Sequence, residues 1–351
     1  MCRLPERTAE AAFDAVVTVC IPSFNRADLV GETLDSILAQ TYPDWEALVV
    51  DDGSTDSSME IISAYSRRDP RVRLISRDRE PKGACTCRNI AVEQARGGFV
   101  MFLDTDDLLA PFCLEQRMKV MEENPELDFA IFPMFVFSGN ARDANRLWNV
   151  DTGEDVLLRL LRLDPICQGT GTLWRRDSFV KAGMWGERIR IWQDIELHVR
   201  AFAGQYRFAR RLDLRPDVYI RETEASLSRG EYHSREKLES RATVVRRVVA
   251  VLRHAGREAL VPEVRYLCSS VILGAVASGN LGIARDLRAW AEREKVLTAS
   301  ESWRLRCAEL CRVTRLDRIP VTRWVRDKLA KPLRGSSTIG RYRLTEPTRS
   351  L

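Results

Sequence analysis

Between residue 16 and about residue 120, short apolar runs alternate with longer segments in which apolar residues recur every three or four positions. Uninterrupted apolar runs of this length predict buried strands, and the longer periodic segments predict amphipathic helices. The apolar runs are Val16–Ile21, Glu46–Val50, Val72–Ser76 and Phe99–Leu103. This alternation of strand and helix predicts an α/β fold with an open, mainly parallel twisted sheet that is flanked by helices.

The helices between these strands are predicted from apolar residues at three- and four-residue spacing. One segment carries Leu29, Val30, Thr33, Leu34, Ile37 and Leu38, the next carries Ile61, Ile62 and Tyr65, a third spans Arg88 to Ala95, and a fourth begins near Pro111. Parallel strands end at the same edge of a sheet, where ligands bind in open α/β folds. We therefore expect the loops after the strands to meet at one site.

The next hundred residues are less regular. A strand is predicted at Asp128–Phe137, although Pro133 interrupts it, and a linker at Ser138–Asp155 leads to a short helix at Val156–Leu163. The Gly169–Thr172 loop is expected to feed another strand, and a helix is expected from Asp194 to Ala203. Edge strands are predicted at Arg207–Leu214 and Asp217–Arg221.

From about Arg235 onward the periodicity is helical only, with broad apolar faces at Val244–Leu252 and Leu267–Val276. These patterns divide the chain into an α/β domain at 14–232 and an all-helical C-terminal region at 233–335. The tail at 336–351 is expected to be disordered.

Composition is that of an ordinary globular protein, with 45% hydrophobic and 30% charged residues among 351. No uninterrupted apolar run approaches the roughly 18 residues of a membrane span. The charged N-terminal segment excludes a secretory signal, and the nine cysteines lack zinc-site spacing. Reduced thiols and a cytoplasmic location are therefore expected.

Charge is distributed unevenly along the chain. Residues 241–351 carry 23 Lys and Arg against 10 Asp and Glu, a net charge of +13, whereas the preceding residues carry 32 against 40, a net charge of −8. The basic residues between Trp303 and Lys331 are interleaved with apolar ones, which is typical of a surface for anionic lipid at the cytoplasmic face of the inner membrane. The alternatives are helix packing against the catalytic domain or a homodimer contact. Nucleic acid is not expected, because no recognised binding module accompanies the charge.

Three carboxylates follow the fourth predicted strand within four residues: Asp104, Asp106 and Asp107. Like charges this close repel one another, and a divalent cation removes that cost. Oxygen donors without a nearby His or Cys favour Mg²⁺ or Mn²⁺ over zinc. The alternative is a solvated acidic turn that caps the following helix.

Four stretches in order resemble glycosyltransferase family 2. They are Val19–Arg26 (VCIPSFNR), Ser36–Glu46 (SILAQTYPDWE), Val50–Asp56 (VDDGSTD) and Leu103–Asp107 (LDTDD), and the resemblance covers about residues 14–225. It implies the GT-A fold and an enzyme that transfers a sugar, with inversion, from a nucleotide-sugar donor. It also implies that the domain at 14–232 is catalytic, with a nucleotide-binding half at about 14–125 and an acceptor half at about 126–232. It leaves the helical region unexplained.

The resemblance also implies roles for individual residues. Phe24 is expected to pack on the nucleotide base, the backbone around Pro22 and Ser23 to approach the ribose, and Asn25 to belong to the same nucleotide-binding motif. Asp52 is expected to accept a hydrogen bond from a uracil or thymine N–H, while Asp51 stabilises the turn. Arg88 contacts base or diphosphate, or else lies on the surface. Asp106 is ranked first as metal ligand, followed by Asp104 and then Asp107, and Asp104 also belongs to the nucleotide site.

Inversion requires a general base that takes the proton of the acceptor hydroxyl. The family has a Glu-Asp pair at the start of a helix, and its equivalent here is Gln193–Asp194, with Asp194 lying 88 residues after Asp106. Asp194 is the expected base; helix capping by Asp194 and a base at Glu196 are alternatives. His198 either reaches the acceptor or is an ordinary buried histidine. Trp192 and the Gly169–Thr172 loop are candidates for acceptor contact, with Trp192 as a core residue the equal alternative.

The sequence thus predicts a metal-dependent transferase that moves a sugar from a UDP- or dTDP-type donor to a hydroxyl of a glycan or lipid-linked acceptor. Bacterial surface polysaccharide synthesis is the expected setting. A catalytically silent nucleotide-sugar binder or assembly scaffold is the rival, because Gln193 departs from the family pattern and the helical region is large. A nucleotidyltransferase is disfavoured, since Pro22–Asn25 is not a glycine-rich basic loop.

Overall fold

The computed structural model describes residues 17–222, 232–314 and 342–343. Two sheets form its framework. In chain order the strands are β1 (Val17–Ser23), β2 (Trp45–Asp51), β3 (Val72–Ser76), β4 (Phe99–Phe102), β5 (Leu108–Leu109), β6 (Phe129–Ile131), β7 (Met134–Phe137), β8 (Arg146–Leu147), β9 (Thr172–Arg175), β10 (Phe208–Arg210), β11 (Val218–Arg221) and β12 (Tyr342–Arg343).

The larger sheet has the strand order β10-β6-β9-β4-β1-β2-β3. Strands β3, β2, β1 and β4 are mutually parallel, and β10 is parallel to β6, whereas β9 runs antiparallel to both of its neighbours. The predicted open, mainly parallel sheet is therefore confirmed. The parallel register places the ends of β1, β2 and β4 side by side, so the loops that carry the predicted site begin at one edge.

The smaller sheet has the order β12-β8-β7-β11-β5 and corrects two predictions. The single strand predicted at Asp128–Phe137 is two strands, β6 and β7, which belong to different sheets. Pro133 lies between them, because a residue without an N–H cannot continue the ladder. The strand predicted at the sheet edge near Asp217–Arg221 is β11, which is paired on both sides by β7 and β5.

Helices cover both faces of the larger sheet. They are α1 (Val30–Leu38), α2 (Ser58–Arg68), α3 (Ala84–Glu93), α4 (Cys113–Glu123), α5 (Val156–Leu161), α6 (Arg176–Lys181), α7 (Gln193–Ala203), α8 (Arg235–His254), α9 (Arg265–Ala277), α10 (Leu281–Arg293) and α11 (Ala299–Val313). Alternate β1 residues face opposite cores: Val19 and Ile21 pack with α1 and α4, whereas Cys20 packs with α3 and α7. The helix predicted from Arg88 begins four residues earlier, at Ala84.

The C-terminal helices α8 to α11 share one continuous apolar core with α3, α5 and α7. One stretch within the described residues, Glu258–Ala277, is long and apolar enough to cross a membrane, but 56% of it is buried inside the protein, as in a core helix. The basic residues between Arg315 and Lys331 lie outside the described residues. The tail at 336–351, which was predicted to be disordered, also lies outside them, except for Tyr342–Arg343, which form β12.

A buried ion pair joins the two sheets. The Arg117 guanidinium on α4 donates to both carboxylate oxygens of Asp217, at 2.9 and 2.7 Å, and to the carbonyl oxygen of Thr170 at 2.8 Å. Both side chains are fully buried. The pair therefore fixes the turn at Thr170 relative to α4 and to the start of β11.

Replacing Arg117 with Met is expected to lower the free energy of unfolding by about 3 kcal/mol, because it leaves the carboxylate of Asp217 buried and unpaired. Urea denaturation of Arg117→Met beside wild type measures this loss. The control is Arg71→Met, which removes a partly exposed pair with Asp69 and is expected to cost less than about 1 kcal/mol. Equal losses in the two variants would contradict the proposed importance of the buried pair.

Candidate functional site

A cavity of about 750 Å³ opens at the edge where β1, β2 and β4 end. Its wall includes residues that follow these strands, the first turns of α3 and α7, and parts of the helical region. The residues that line it include Pro22, Ser23, Phe24, Arg26, Asp52, Lys82, Arg88, Asp104, Asp106, Gln168, Ile189, Arg190, Ile191, Trp192, Gln193, Asp194, Tyr232 and Ser270. Most of the predicted site residues are thus brought together.

The acidic cluster lies at the end of β4. One carboxylate oxygen from each of Asp104, Asp106 and Asp107 lies within 4.8 Å of the others. Burial, and then the negative charge of Asp104, raises the pKa of Asp106; burial and both neighbours raise the pKa of Asp107 well above its usual range. This arrangement of hard oxygen donors fits a divalent cation, which would remove the repulsion.

Asp107 differs from the other two aspartates because it is only 3% exposed and does not line the cavity. Its carboxylate accepts a hydrogen bond from the backbone N–H of Arg221 on β11 at 3.0 Å. The guanidinium of Arg221 also donates to the carbonyl oxygen of Asp106, and Thr33 on α1 donates to the carbonyl oxygen of Asp107. Strand β11 and helix α1 thus hold the acidic loop in place.

The end of β2 and the loop after it carry two adjacent aspartates, Asp51 and Asp52, which make different contacts. Asp51 accepts hydrogen bonds from the backbone N–H groups of Gly53 and Ser54 and from the Ser54 hydroxyl, which closes the turn. Asp52 lines the cavity and accepts from Arg77 at 2.6 Å and from the backbone N–H of Gly83 at 3.3 Å, both at Oδ1. The turn therefore uses Asp51 and presents Asp52 to the cavity.

The end of β1 and the residue after it place Pro22, Ser23 and Phe24 on the cavity wall. The Ser23 hydroxyl is buried and has no hydrogen-bond partner among the described residues. Asn25, with a φ of 50°, points elsewhere: its side chain accepts from the backbone N–H of Thr55 at 2.8 Å, and it does not line the cavity. Asn25 thus joins the loops after β1 and β2.

Arg88 lines the cavity from α3 and is mostly buried rather than on the surface. Its guanidinium donates to Asp104 at 2.5 Å and lies 4.9 Å from the centroid of the Trp185 ring. Burial alone would lower the pKa of Arg88, but the negative charge of Asp104 raises it, so the side chain is cationic. Asn89 exchanges hydrogen bonds with the backbone of Trp185, which anchors α3 to the loop before α7.

Asp194 lies in the first turn of α7 and lines the same cavity as Asp104 and Asp106. One carboxylate oxygen accepts a hydrogen bond from the backbone N–H of Gly169 at 2.7 Å. Gln193 donates from its amide to the carbonyl oxygens of Ile189 and Arg190, at 3.1 and 3.2 Å. A carboxylate cannot donate in this way, so the glutamine stabilises the loop through contacts that a glutamate could not make.

Glu196 and His198 lie away from the cavity lining. Glu196 is buried and pairs with Arg200 at 2.8 Å and Arg247 at 3.5 Å, which does not suit a general base. His198 is fully buried, and its Nδ1 lies 2.8 Å from the carbonyl oxygen of Asp194. The Gly169–Thr172 segment is also buried, so its expected contact with the acceptor is not supported; neighbouring Gln168 lines the cavity instead.

Comparison with known proteins agrees with this geometry. The model of glycosyl transferase family 2 matches residues 18–183. Over these residues the chain is similar to glycosyltransferase family 2. The chain is 35% identical to the teichuronic acid biosynthesis glycosyltransferase TuaG of Bacillus subtilis over 129 residues, which are 36% of this chain and 51% of TuaG. It is 36% identical over 111 residues to the β-1,3-glucosyltransferase WfgD of Escherichia coli, covering 32% of this chain and 43% of WfgD.

These curated relatives are matched over about half of their length. A solved structure of TarS residues 1–349 from S. aureus, in complex with UDP-GlcNAc, covers 90% of this chain and 92% of its own, with a TM-score of 0.58 and 17% identity. This likeness shows the fold, which is GT-A. The family 2 match ends before Asp194 and the helical region.

The cavity is also lined by residues that the sequence analysis did not assign to it. Lys82 places its ammonium 3.6 Å from the centroid of the Phe24 ring, and Arg190 donates to the carbonyl oxygen of Lys82 at 2.6 Å. Tyr232 lies just before α8, and Ser270 comes from α9 of the helical region. A basic residue beside a recognised motif was the available signal for Lys82; no local pattern marks Arg190, Tyr232 or Ser270.

His198 on α7 is expected to make the stability of the protein pH-dependent. Burial lowers the pKa of His198 below its usual value of about 6.5, and its buried Nε2 has no partner among the described residues. Stability is therefore fully present above pH 6.5 and is lost as the pH falls towards the folded-state pKa, with a slope of at most about 1.4 kcal/mol per pH unit.

Chemical denaturation of wild type and His198→Phe at pH 7.5 and 5.5 measures this effect. The variant keeps an aromatic ring next to Phe202 and is expected to lose less stability on acidification than wild type. His254→Phe removes the histidine at the end of α8 and serves as the control. An identical pH dependence in His198→Phe and wild type would contradict the assignment.

Proposed function

We propose that this protein is a metal-dependent inverting glycosyltransferase that moves a sugar from a UDP- or dTDP-type donor to a hydroxyl of a glycan or lipid-linked acceptor. The observation that carries the proposal is the shared cavity, which is lined by Asp104 and Asp106 of the acidic cluster and by Asp194. Such a site has a place for a leaving diphosphate and a separate proton acceptor.

The nucleotide occupies the side of the cavity formed by the loops after β1 and β2. Asp52 retains an oxygen that is not used by Arg77 or Gly83 and accepts the base N–H there. Phe24, held by Lys82, packs against the base, and the unpartnered Ser23 hydroxyl bonds the ribose. Arg88 and Arg26 supply positive charge beside the diphosphate.

Asp106 and Asp104 of the acidic cluster would hold a divalent cation, Mn²⁺ or Mg²⁺, and the buried Asp107 supports the loop that carries them. When bound, the ion would neutralise negative charge on the leaving diphosphate. Asp104 is held by Arg88 at one oxygen, which leaves its second oxygen for the ion. Arg221 and Thr33 fix the loop so that the two side chains keep their places.

Asp194 acts as the general base. The N–H of Gly169 fixes one carboxylate oxygen of Asp194. The other carboxylate oxygen accepts the proton of the acceptor hydroxyl while the hydroxyl oxygen attacks the anomeric carbon. Attack from the face opposite the leaving diphosphate inverts the configuration. Gln193 holds the loop before α7 by its two backbone contacts and contributes no charge.

The names of the relatives support a setting in the synthesis of bacterial cell-surface polysaccharides. TuaG is named for teichuronic acid biosynthesis, and WfgD for transfer of glucose from UDP-glucose to a diphosphoundecaprenol-linked sugar. We extend this setting to the present chain by similarity of the family 2 domain.

The proposal is tested by incubating the protein with Mn²⁺ and a panel of UDP- and dTDP-sugars, while nucleoside diphosphate release is measured with and without soluble glycan acceptors. Release that requires Mn²⁺ and increases with acceptor is expected. A protein that binds UDP but never releases it from any donor would favour the scaffold alternative.

A further inference from the structure

The cavity is lined by side chains of different chemistry. Charged side chains that line it include Arg26, Asp52, Arg88 and Asp106, and apolar or aromatic side chains that line it include Ile189, Ile191, Trp192 and Tyr232. Tyr232, which lies just before α8, and Ser270 on α9 are both beyond the family 2 match, and Ser270 belongs to the helical region. The helical region therefore completes the cavity rather than lying apart from it.

A buried arginine joins the two rings. Arg241 on α8 is fully buried, and its guanidinium carbon lies 4.1 Å from the centroid of the Tyr232 ring and 5.5 Å from that of Trp192. It donates to the carbonyl oxygens of Tyr232 and Lys237, and within residues 17–222, 232–314 and 342–343 it has no carboxylate partner. The aromatic faces therefore compensate the buried charge, which fixes the rings relative to each other.

The first turns of α8 also hold the chain that leads into α7. The Ser240 hydroxyl accepts the backbone N–H groups of Arg190 and Ile191, at 2.9 and 3.4 Å, and Glu236 pairs with Arg190 at 3.2 Å. Trp192 has a φ of 65°, which is uncommon for a non-glycine residue and requires such support. Helix α8 thus determines where Trp192 lies.

We propose that Trp192 and Tyr232 form the acceptor subsite and bind the C–H face of a pyranose ring of the acceptor glycan, while Arg241 positions both rings. This inference rests on the proposed function, because it places the acceptor next to the base. Aromatic faces stack on apolar surfaces of this size, and Trp192 precedes Asp194 by two residues, so a stacked ring lies beside the proton acceptor.

The test measures binding of methyl β-glucopyranoside, methyl β-galactopyranoside and methyl β-N-acetylglucosaminide by saturation-transfer NMR in the presence of UDP and Mn²⁺. We expect saturation of the ring C–H protons of at least one glycoside. Trp192→Ala and Tyr232→Ala are each expected to weaken its binding about tenfold, whereas Trp192→Phe retains it. The control is Trp303→Ala, which removes a tryptophan that is 61% exposed on α11.

A second comparison isolates the role of Arg241 as a positioning residue. Arg241→Met is expected to weaken glycoside binding several-fold without changing UDP affinity, and Arg241→Lys, which restores the cation, recovers part of it. Arg253→Met on the same helix removes a partly exposed arginine paired with Glu294 and is the matched control. A purely structural role would lower thermal stability but leave glycoside affinity unchanged.

Calorimetric UDP binding in the same samples separates the two proposals. Glycoside saturation that is absent in wild type, or that survives both alanine variants, overturns the acceptor subsite while UDP binding still supports the proposed function. If UDP fails to bind to wild type with Mn²⁺, the proposed function itself is overturned.

Discussion

Asp194→Asn is expected to reduce the rate of sugar transfer by about 10²- to 10⁴-fold while leaving UDP affinity unchanged. An amide cannot take the proton of the acceptor hydroxyl, and general-base catalysis contributes an acceleration of this size. The substitution is conservative, because an asparagine oxygen still accepts the N–H of Gly169 that fixes residue 194 in the structure. Steady-state transfer rates and calorimetric UDP binding, measured on the same preparation, separate catalysis from binding.

The matched control for this experiment is Asp177→Asn on α6, whose side chain is 96% exposed and pairs only weakly with Arg176. It is expected to transfer sugar at the wild-type rate. Glu196→Gln serves as the second comparison, because Glu196 was the alternative base; it is expected to lower stability through loss of its arginine pairs. Full activity in Asp194→Asn would refute the assignment of the base.

Asp106→Ala is expected to remove the dependence of UDP binding on Mn²⁺ and to weaken binding in the presence of Mn²⁺ by about 100-fold. The loss of one carboxylate removes a ligand that the remaining aspartates cannot replace, since Asp104 is already held by Arg88 and Asp107 by Arg221. Calorimetric titration with UDP, with Mn²⁺ and with chelator, measures both effects.

Asp213→Ala, which removes an exposed carboxylate paired with Arg211, controls for the loss of one negative charge. It is expected to bind UDP like the wild type. Unchanged Mn²⁺-dependent affinity in Asp106→Ala would show that the acidic cluster does not hold the ion. Activity measurements would then have to be interpreted without a metal at this position.

Some of the site was predictable because it depends on short-range signals. The apolar run of β4 and the aspartates that follow it are adjacent in the chain, and the parallel arrangement brings Asp52 and Asp106 to one edge whatever the loops do. Asp51 was also recognisable, because a carboxylate two residues before a glycine is typical of a turn. These features were recognisable because each is set by residues that are adjacent in the chain.

Other features were not predictable, because the contacts that make them span a hundred residues. Arg190 meets the carbonyl oxygen of Lys82 across 108 positions, and Tyr232, which precedes α8, lines the cavity only because α8 packs against α7. The two sheets on either side of Pro133 could not be separated by pattern either, since both strands are short apolar runs. Periodicity reports which face is buried, but not what covers it.

The sequence alone therefore determined the α/β fold class, the similarity to family 2, the acidic cluster and the position of Asp194 at a helix start, because each depends on residues within one strand, turn or helix start. Only the tertiary structure decided that Asn25 points to a neighbouring loop and that Asp107 is held beneath the cavity. It also decided that Gln193 stabilises a loop and that Arg241 joins two aromatic rings. The physical reason is that hydrogen bonds and ring contacts between distant segments are set by how the helices and sheets pack.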